Sequence, residues 1–202
     1  MKTIIIPIFA ALLLIVGCSK PDYEITEPDK VEQEKAVEIG SKLAGIVMDT
    51  LRNALMAAMQ EGGPMEAVKV CNTKALIITQ LVAGSSPVKV DIKRTSLKYR
   101  NPRNKPNEIE SKALEYYQDK IADRAEIPMN YVQKVSDKDG IHFYYYRPIK
   151  IMPFCLACHG DEKTIHPGMK PILKQLYPDD LAIGYKEGDL RGLLRVRIDE
   201  KI

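Results

Sequence analysis

The chain has 202 residues, of which 45% are hydrophobic and 28% are charged, and its formal net charge is +3. This length predicts one globular domain with appendages, and the apolar content excludes intrinsic disorder. The net charge is too small for a dedicated nucleic-acid-binding protein, so we expect no nucleic-acid partner. Four cysteines are too few for a disulfide scaffold of this size.

The N-terminus has the features of an export signal. A basic start precedes an apolar run over residues 4–16, which is too short to span a bilayer. The run ends in the sequence IVGC, which resembles the lipobox of bacterial lipoproteins, in which the cysteine becomes the lipidated first residue. We therefore expect residues 1–17 to be a signal peptide and Cys18 to anchor the mature protein to a membrane, facing the periplasm. An ordinary signal peptide or a short anchor is the alternative.

A polar stretch separates this signal from the first amphipathic segment. Residues 18–37 are rich in carboxylates and lysines, which predicts a lipidated N-terminus followed by a flexible tether. The folded domain is then expected to comprise residues 38–202.

Two helices are predicted next. Apolar residues recur at helical spacing from Ile39 to Met59, and the sequence Gly-Gly-Pro at residues 62–64 ends this helix. Pro64 suits the first turn of a second helix, which runs to about Val82. Cys71 falls on the apolar stripe of the second helix, so its side chain is expected to face the core.

The remainder of the chain predicts mostly antiparallel strands. Asp-Lys-Asp-Gly at residues 137–140 is typical of a hairpin turn, and alternating apolar residues near the C-terminus predict a half-buried strand. Helices followed by such strands predict an α+β domain. The expected elements are a strand over 88–92, a helix over 108–123, strands over 131–135 and 141–149, a helix over 169–176 and a strand over 190–198.

The strongest chemical signal is the pentapeptide CLACH at residues 155–159. In c-type cytochromes, two cysteines at this spacing form thioethers with the haem vinyl groups, and the adjacent histidine ligates the iron. Cys155, Cys158 and His159 therefore predict one covalently attached haem c. The alternatives are a redox dithiol or a structural disulfide.

The position of the motif differs from that in small cytochromes c. Those proteins carry the motif near the N-terminus and supply a methionine ligand far downstream. Here Met169 is the only methionine after His159, and it lies at the start of a predicted helix. An ordinary cytochrome c fold is therefore not expected.

Four stretches in the same order resemble a known family. The chain is similar to exported c-type haem proteins with a PAS-like fold, which include sensor modules and the single-domain cyanobacterial Tll-type cytochromes. The matching stretches are residues 67–71 (AVKVC), 94–104 (RTSLKYRNPRN), 155–160 (CLACHG) and 182–192 (AIGYKEGDLRG). The resemblance implies a central antiparallel sheet with long helices on its N-terminal side. It also implies that a helical cysteine, here Cys71, is the second axial ligand of the iron.

Counting the cysteines leads to the same residue. With Cys18 assigned to lipid and Cys155 and Cys158 to haem, Cys71 is the thiol left over. A buried free cysteine often only fills space, so packing is the alternative to ligation. Ligation by a thiolate would stabilise ferric iron and lower the reduction potential. An open sixth site, typical of a gas sensor, is a further alternative, and the rival ligands are His142, His166, Met48, Met56, Met59, Met65, Met152 and Met169.

A basic stretch without acidic residues runs from Lys93 to Lys105. We expect its cations to pair with the haem propionates, because carboxylates accept charge-assisted hydrogen bonds from such groups. A solvated basic face is the alternative. The candidates are Arg94, Lys98, Arg100 and Arg103.

These features predict a membrane-tethered periplasmic haem protein that exchanges electrons or senses redox state or a diatomic gas. No kinase, cyclase or chemoreceptor region is recognisable in the sequence, so we expect a separate redox or signalling partner. No catalytic acid–base constellation is evident. The alternatives are a haem-dependent peroxidase or thiol oxidoreductase, and a haem-free lipoprotein that binds a small molecule.

Overall fold

The computed structural model of the chain describes residues 21–199 and residue 202. The predicted signal peptide and the predicted lipidation site, Cys18, lie outside the described residues. Within the described part, no helix combines the length and apolar character needed to cross a membrane.

A single antiparallel sheet lies at the centre of the described residues. Its strand order is β1-β3-β4-β5-β2. Strands β3 and β4 form the predicted hairpin. Gly140 in this hairpin has a φ of 127°, a backbone conformation that would be strained for any residue with a Cβ. The bounds are β1 Tyr23–Thr26, β2 Val90–Thr95, β3 Tyr131–Asp137, β4 Gly140–Lys150 and β5 Leu190–Ile198.

Two consecutive helices precede most of the sheet. Helix α1 is interrupted at Gly62 and Gly63, whose backbone angles are not helical, and Pro64 follows the interruption. This confirms the predicted break between two helical segments. The helices are α1 Lys30–Thr73, α2 Ala75–Gly84, α3 Glu108–Ala122, α4 Leu156–His159 and α5 Met169–Leu176, with single 3₁₀ turns at Pro102–Asn104 and Pro153–Cys155.

The sheet separates two apolar clusters because successive side chains of a strand point to opposite faces. Tyr145 packs with Leu43 and Val47 of α1 on one face. Tyr144 and Tyr146 pack on the other face with α3. The prediction of an α+β fold, with a central antiparallel sheet and long N-terminal helices, is confirmed.

The prediction of a flexible tether up to residue 37 is wrong. Strand β1 pairs with β3, and Ile25 packs against the cluster around α3. The side chain of the N-cap Asp29 accepts a hydrogen bond from the Glu32 N–H, and the Glu32 carboxylate accepts one from the Asp29 N–H. Ala36, inside the first helix, is fully buried. The folded domain therefore includes the chain from Tyr23 onward.

The contact between α1 and the sheet requires a glycine at position 40. A Cβ there would overlap the ring of Tyr145, which is buried. We expect Gly40→Ala to lower the free energy of unfolding by about 1–3 kcal/mol through overpacking. The matched control is Gly45→Ala in the same helix, because its Cβ would meet only Nη1 of Arg147, at 4.0 Å. Urea unfolding followed by circular dichroism measures both, and equal midpoints for the two variants would contradict this packing argument.

Candidate functional site

A cavity of about 350 Å³ lies between α1, the end of β4 and the segment that carries the CLACH motif. This volume is within the range of small-molecule and cofactor sites. Cys71, Cys155, Cys158 and His159 all line it, together with apolar side chains of α1 such as Leu51 and Leu55. The cavity thus brings together all four residues that the sequence predicts to hold a haem.

Local helical geometry aligns the motif. The 3₁₀ turn at Pro153–Cys155 continues into the single turn of α4. Residues three and four positions apart lie on one face of a helix, which directs Cys155, Cys158 and His159 toward the same cavity. Gly160 follows immediately, and a Cβ there would overlap the hydroxyl of Thr164.

The imidazole of His159 is oriented by a backbone carbonyl. Its Nδ1 lies 2.7 Å from the oxygen of Ala182. A carbonyl only accepts, so Nδ1 carries the proton and Nε2 keeps its lone pair, as a metal ligand requires. Burial, assisted by the charges of Arg100 and Arg191, lowers the pKa of His159 well below its usual value. The ring is therefore neutral at physiological pH.

Cys71 lines the same cavity as the motif. It lies on the helical segment that follows the Gly62–Gly63 interruption. Burial raises the pKa of its thiol, while the charges of Arg94, Arg100 and Arg191 oppose that rise. Without a ligand that binds sulfur, Cys71 is thus a neutral thiol, and nearby guanidinium groups are placed to stabilise its anion.

The two motif thiols are also poorly ionised. Burial raises the pKa of Cys155, and it raises the pKa of Cys158 to about 11. Reactive dithiols depend on a lowered thiol pKa, because the thiolate is the nucleophile. The pair therefore lacks the electrostatic environment of a dithiol oxidoreductase.

A family model of Tll0287-like proteins matches residues 26–199. The chain belongs to the Tll0287-like family. Its fold is also similar to a solved structure described as the cyanobacterial heme-protein Tll0287. The two share 24% sequence identity with a TM-score of 0.55, over 84% of this chain and 95% of that one. No curated protein matches the chain.

In this Tll0287-like chain, Arg100 is a buried cation of the cavity lining that makes several polar contacts. Its Nε donates to the Asp180 carboxylate at 3.0 Å, and its Nη2 donates to the carbonyls of Cys158 at 2.6 Å and Ala182 at 3.2 Å. The same Ala182 carbonyl accepts the His159 proton. Arg100 therefore holds together the two loops that position the motif.

The predicted propionate partners divide into two pairs. Arg94 and Arg100 line the cavity, but Lys98 and Arg103 do not. Lys98 donates to the Ile183 carbonyl at 2.6 Å and lies over the ring of Tyr185, while Arg103 is exposed. The prediction that Lys98 and Arg103 reach a cavity ligand therefore has no support in the geometry.

Several cavity cations were missed by sequence reasoning. Arg191 donates to the hydroxyl of Ser96 at 2.9 Å and to the carbonyl of Lys98 at 3.0 Å. Its place in the family-like stretch 182–192 was an available signal. The other missed cations are isolated in the sequence and carried no such signal: Arg52, Arg147 and Lys150.

The two rival histidines do not line the cavity. His142 lies between Asp199 and Asp137, with ring nitrogens 2.9 Å and 3.3 Å from their carboxylates. Nδ1 of His166 accepts a hydrogen bond from the Gly168 N–H at 3.2 Å. Three rival methionines do line the cavity, whereas Met56, Met65 and Met169 do not; the three are Met48, Met59 and Met152.

Proposed function

We propose that this Tll0287-like protein binds one haem, attached covalently through Cys155 and Cys158. The observation that carries the proposal is the convergence of both thiols, the His159 imidazole and Cys71 on one cavity. Apolar side chains and cations share that lining, which suits a macrocycle with an apolar body and two carboxylates. The fold likeness to a protein described as a heme-protein supports the same proposal.

His159 and Cys71 are the residues that would bind the iron of such a group. His159 offers the Nε2 lone pair, because its other nitrogen is bonded to Ala182. Cys71 would supply the second iron ligand, since it lines the same cavity from a separate helical segment. A bound haem would supply one-electron chemistry at iron, and the protein would set its ligation and potential.

We further propose that the protein is a periplasmic lipoprotein that exchanges electrons with a partner protein. The apolar N-terminal run and the lipobox-like IVGC support export and a membrane anchor at Cys18. An anionic thiolate ligand favours ferric iron, which suits a low-potential carrier or redox sensor. The raised pKa of Cys158, to about 11, argues against the dithiol enzyme.

Expression with a c-type maturation system tests the proposal. We expect a pyridine haemochrome spectrum of c type, and haem that stays with the polypeptide in a denaturing gel. The double variant Cys155→Ala/Cys158→Ala should lose covalent haem, whereas Cys71→Ser should keep it because its sulfur forms no thioether. A wild-type protein that matures without any haem would overturn the proposed function.

A further inference from the structure

The cavity lining contains several cations that take no part in binding iron or in forming thioethers. Six cationic side chains face it, and they differ in what they already contact: Arg52, Arg94, Arg100, Arg147, Lys150 and Arg191. Arg100 is bound to Asp180 and two carbonyls. Arg191 donates to Ser96 and to the Lys98 carbonyl. Arg94 is half-buried, and the titratable groups that act on it are the Cys71 thiol and the Tyr177 hydroxyl.

The side chains of the other three cations make no such polar contacts. The side chains of Arg52, Arg147 and Lys150 form no hydrogen bond or ion pair with any residue between 21 and 199. Two of the three, Arg52 and Lys150, are exposed, while Arg147 is half-buried. Cations that line a concave site without a protein partner are available to an anionic group of a ligand.

Their positions define one side of the cavity. Nη1 of Arg147, on β4, lies 4.0 Å from the place that a Cβ on Gly45 of α1 would take. Asp49 and Arg52 follow Gly45 by one and two helical turns, so all three lie on the same side of α1. Lys150 is on β4 with Arg147. Arg52, Arg147 and Lys150, together with Asp49, therefore form a cluster that spans the gap between α1 and the end of β4.

The charge of this cluster matches a dianion. Arg52, Arg147 and Lys150 contribute three positive charges and Asp49 one negative charge, for a net charge of +2. We propose that Arg52, Arg147 and Lys150 bind the two propionate carboxylates of the haem at this edge of the cavity. The inference rests on the proposed function and deepens it, and it adds three cations outside the stretch from Lys93 to Lys105 to the predicted propionate partners.

Charge-removing variants test the inference. In the full chain matured with haem, Arg52→Gln/Arg147→Gln and Lys150→Gln are compared with Arg103→Gln, an exposed arginine outside the lining. Loss of the cations should raise the pKa of the propionates. The reduction potential of the variants should therefore change with pH over a range in which that of the wild type stays constant. The potential at neutral pH should fall, because a lost positive charge favours ferric iron. The propionate bending bands in the resonance Raman spectrum should shift, and Arg147→Lys should restore the wild-type pH profile.

The outcomes separate this inference from the proposed function. A wild type without haem removes the function itself. A haem-loaded wild type whose cluster variants match Arg103→Gln in potential, pH profile and propionate bands overturns the inference and leaves the function standing. If the double variant does not fold, the single variants Arg52→Gln and Arg147→Gln decide, with the same readouts.

Discussion

Cys71→Ser should abolish the thiolate features of a low-spin ferric spectrum and raise the reduction potential. In the proposed ligation an anionic sulfur donates charge to ferric iron, and a serine hydroxyl would not replace that donation. Axial ligands tune haem potentials over about 0.8 V, so a rise on the order of 100 mV is expected. Ultraviolet–visible spectra and a spectroelectrochemical titration of the haem-loaded protein measure both effects.

The cavity also offers a matched control for this variant. Met59 lines the same cavity from α1, and Met59→Leu conserves volume while removing its sulfur. We expect the spectrum of Met59→Leu to remain that of the wild type. If Cys71→Ser leaves the spectrum unchanged and a variant of Met48, Met59 or Met152 alters it, methionine is the ligand and the assignment of Cys71 is wrong. A wild-type spectrum that is already high-spin would indicate an open sixth site.

Arg100→Ala should be the most destabilising charge removal near the cavity. The side chains of Arg100 and Asp180 are only 7% and 9% exposed, so the variant leaves a carboxylate that is both buried and unpaired. Removal of one partner from a buried ion pair costs about 3–5 kcal/mol in free energy of unfolding. The carbonyls of Cys158 and Ala182 lose their donor at the same time. Chemical unfolding followed by circular dichroism measures the loss.

Two further variants test whether the loss of the Arg100–Asp180 ion pair causes this drop in stability. Arg103→Ala removes an exposed arginine nearby and should change the free energy of unfolding by no more than about 0.5 kcal/mol. Arg100→Ala/Asp180→Ala should be more stable than Arg100→Ala alone, because it also removes the unpaired carboxylate. Equal unfolding midpoints for Arg100→Ala and Arg103→Ala would show that the buried pair contributes no stability.

Local patterns explain which parts of the site could be predicted. The spacing of Cys155, Cys158 and His159 lies within one helical turn, so their common orientation follows from sequence separation alone. Helical periodicity likewise placed Cys71 on an apolar stripe, and the structure places it in the cavity lining. The helix Met169–Leu176 was also predicted, with the bounds that the structure shows.

Long-range contacts explain what was missed. Strand β1 has only the sequence YEIT, and its stability comes from pairing with β3 across the sheet. No pattern within residues 19–37 shows that partner, although the capping pair Asp29 and Glu32 was a readable sign of a helix start. Arg52 and Arg147 are distant in sequence and line one cavity only because α1 packs against β4. Their joint role therefore depends on the fold.

The early start of the sheet sets the reach of the proposed lipid anchor. A chain extends by at most about 3.6 Å per residue, so the five residues from Cys18 to Tyr23 span no more than about 18 Å. A tether lasting to residue 37 would have reached several times farther. With an acyl group on Cys18, the β1 edge of the domain stays close to the lipid headgroups. The electron-transfer partner proposed above would then meet a domain held close to the membrane, which favours a protein that is itself embedded in or bound to the same membrane.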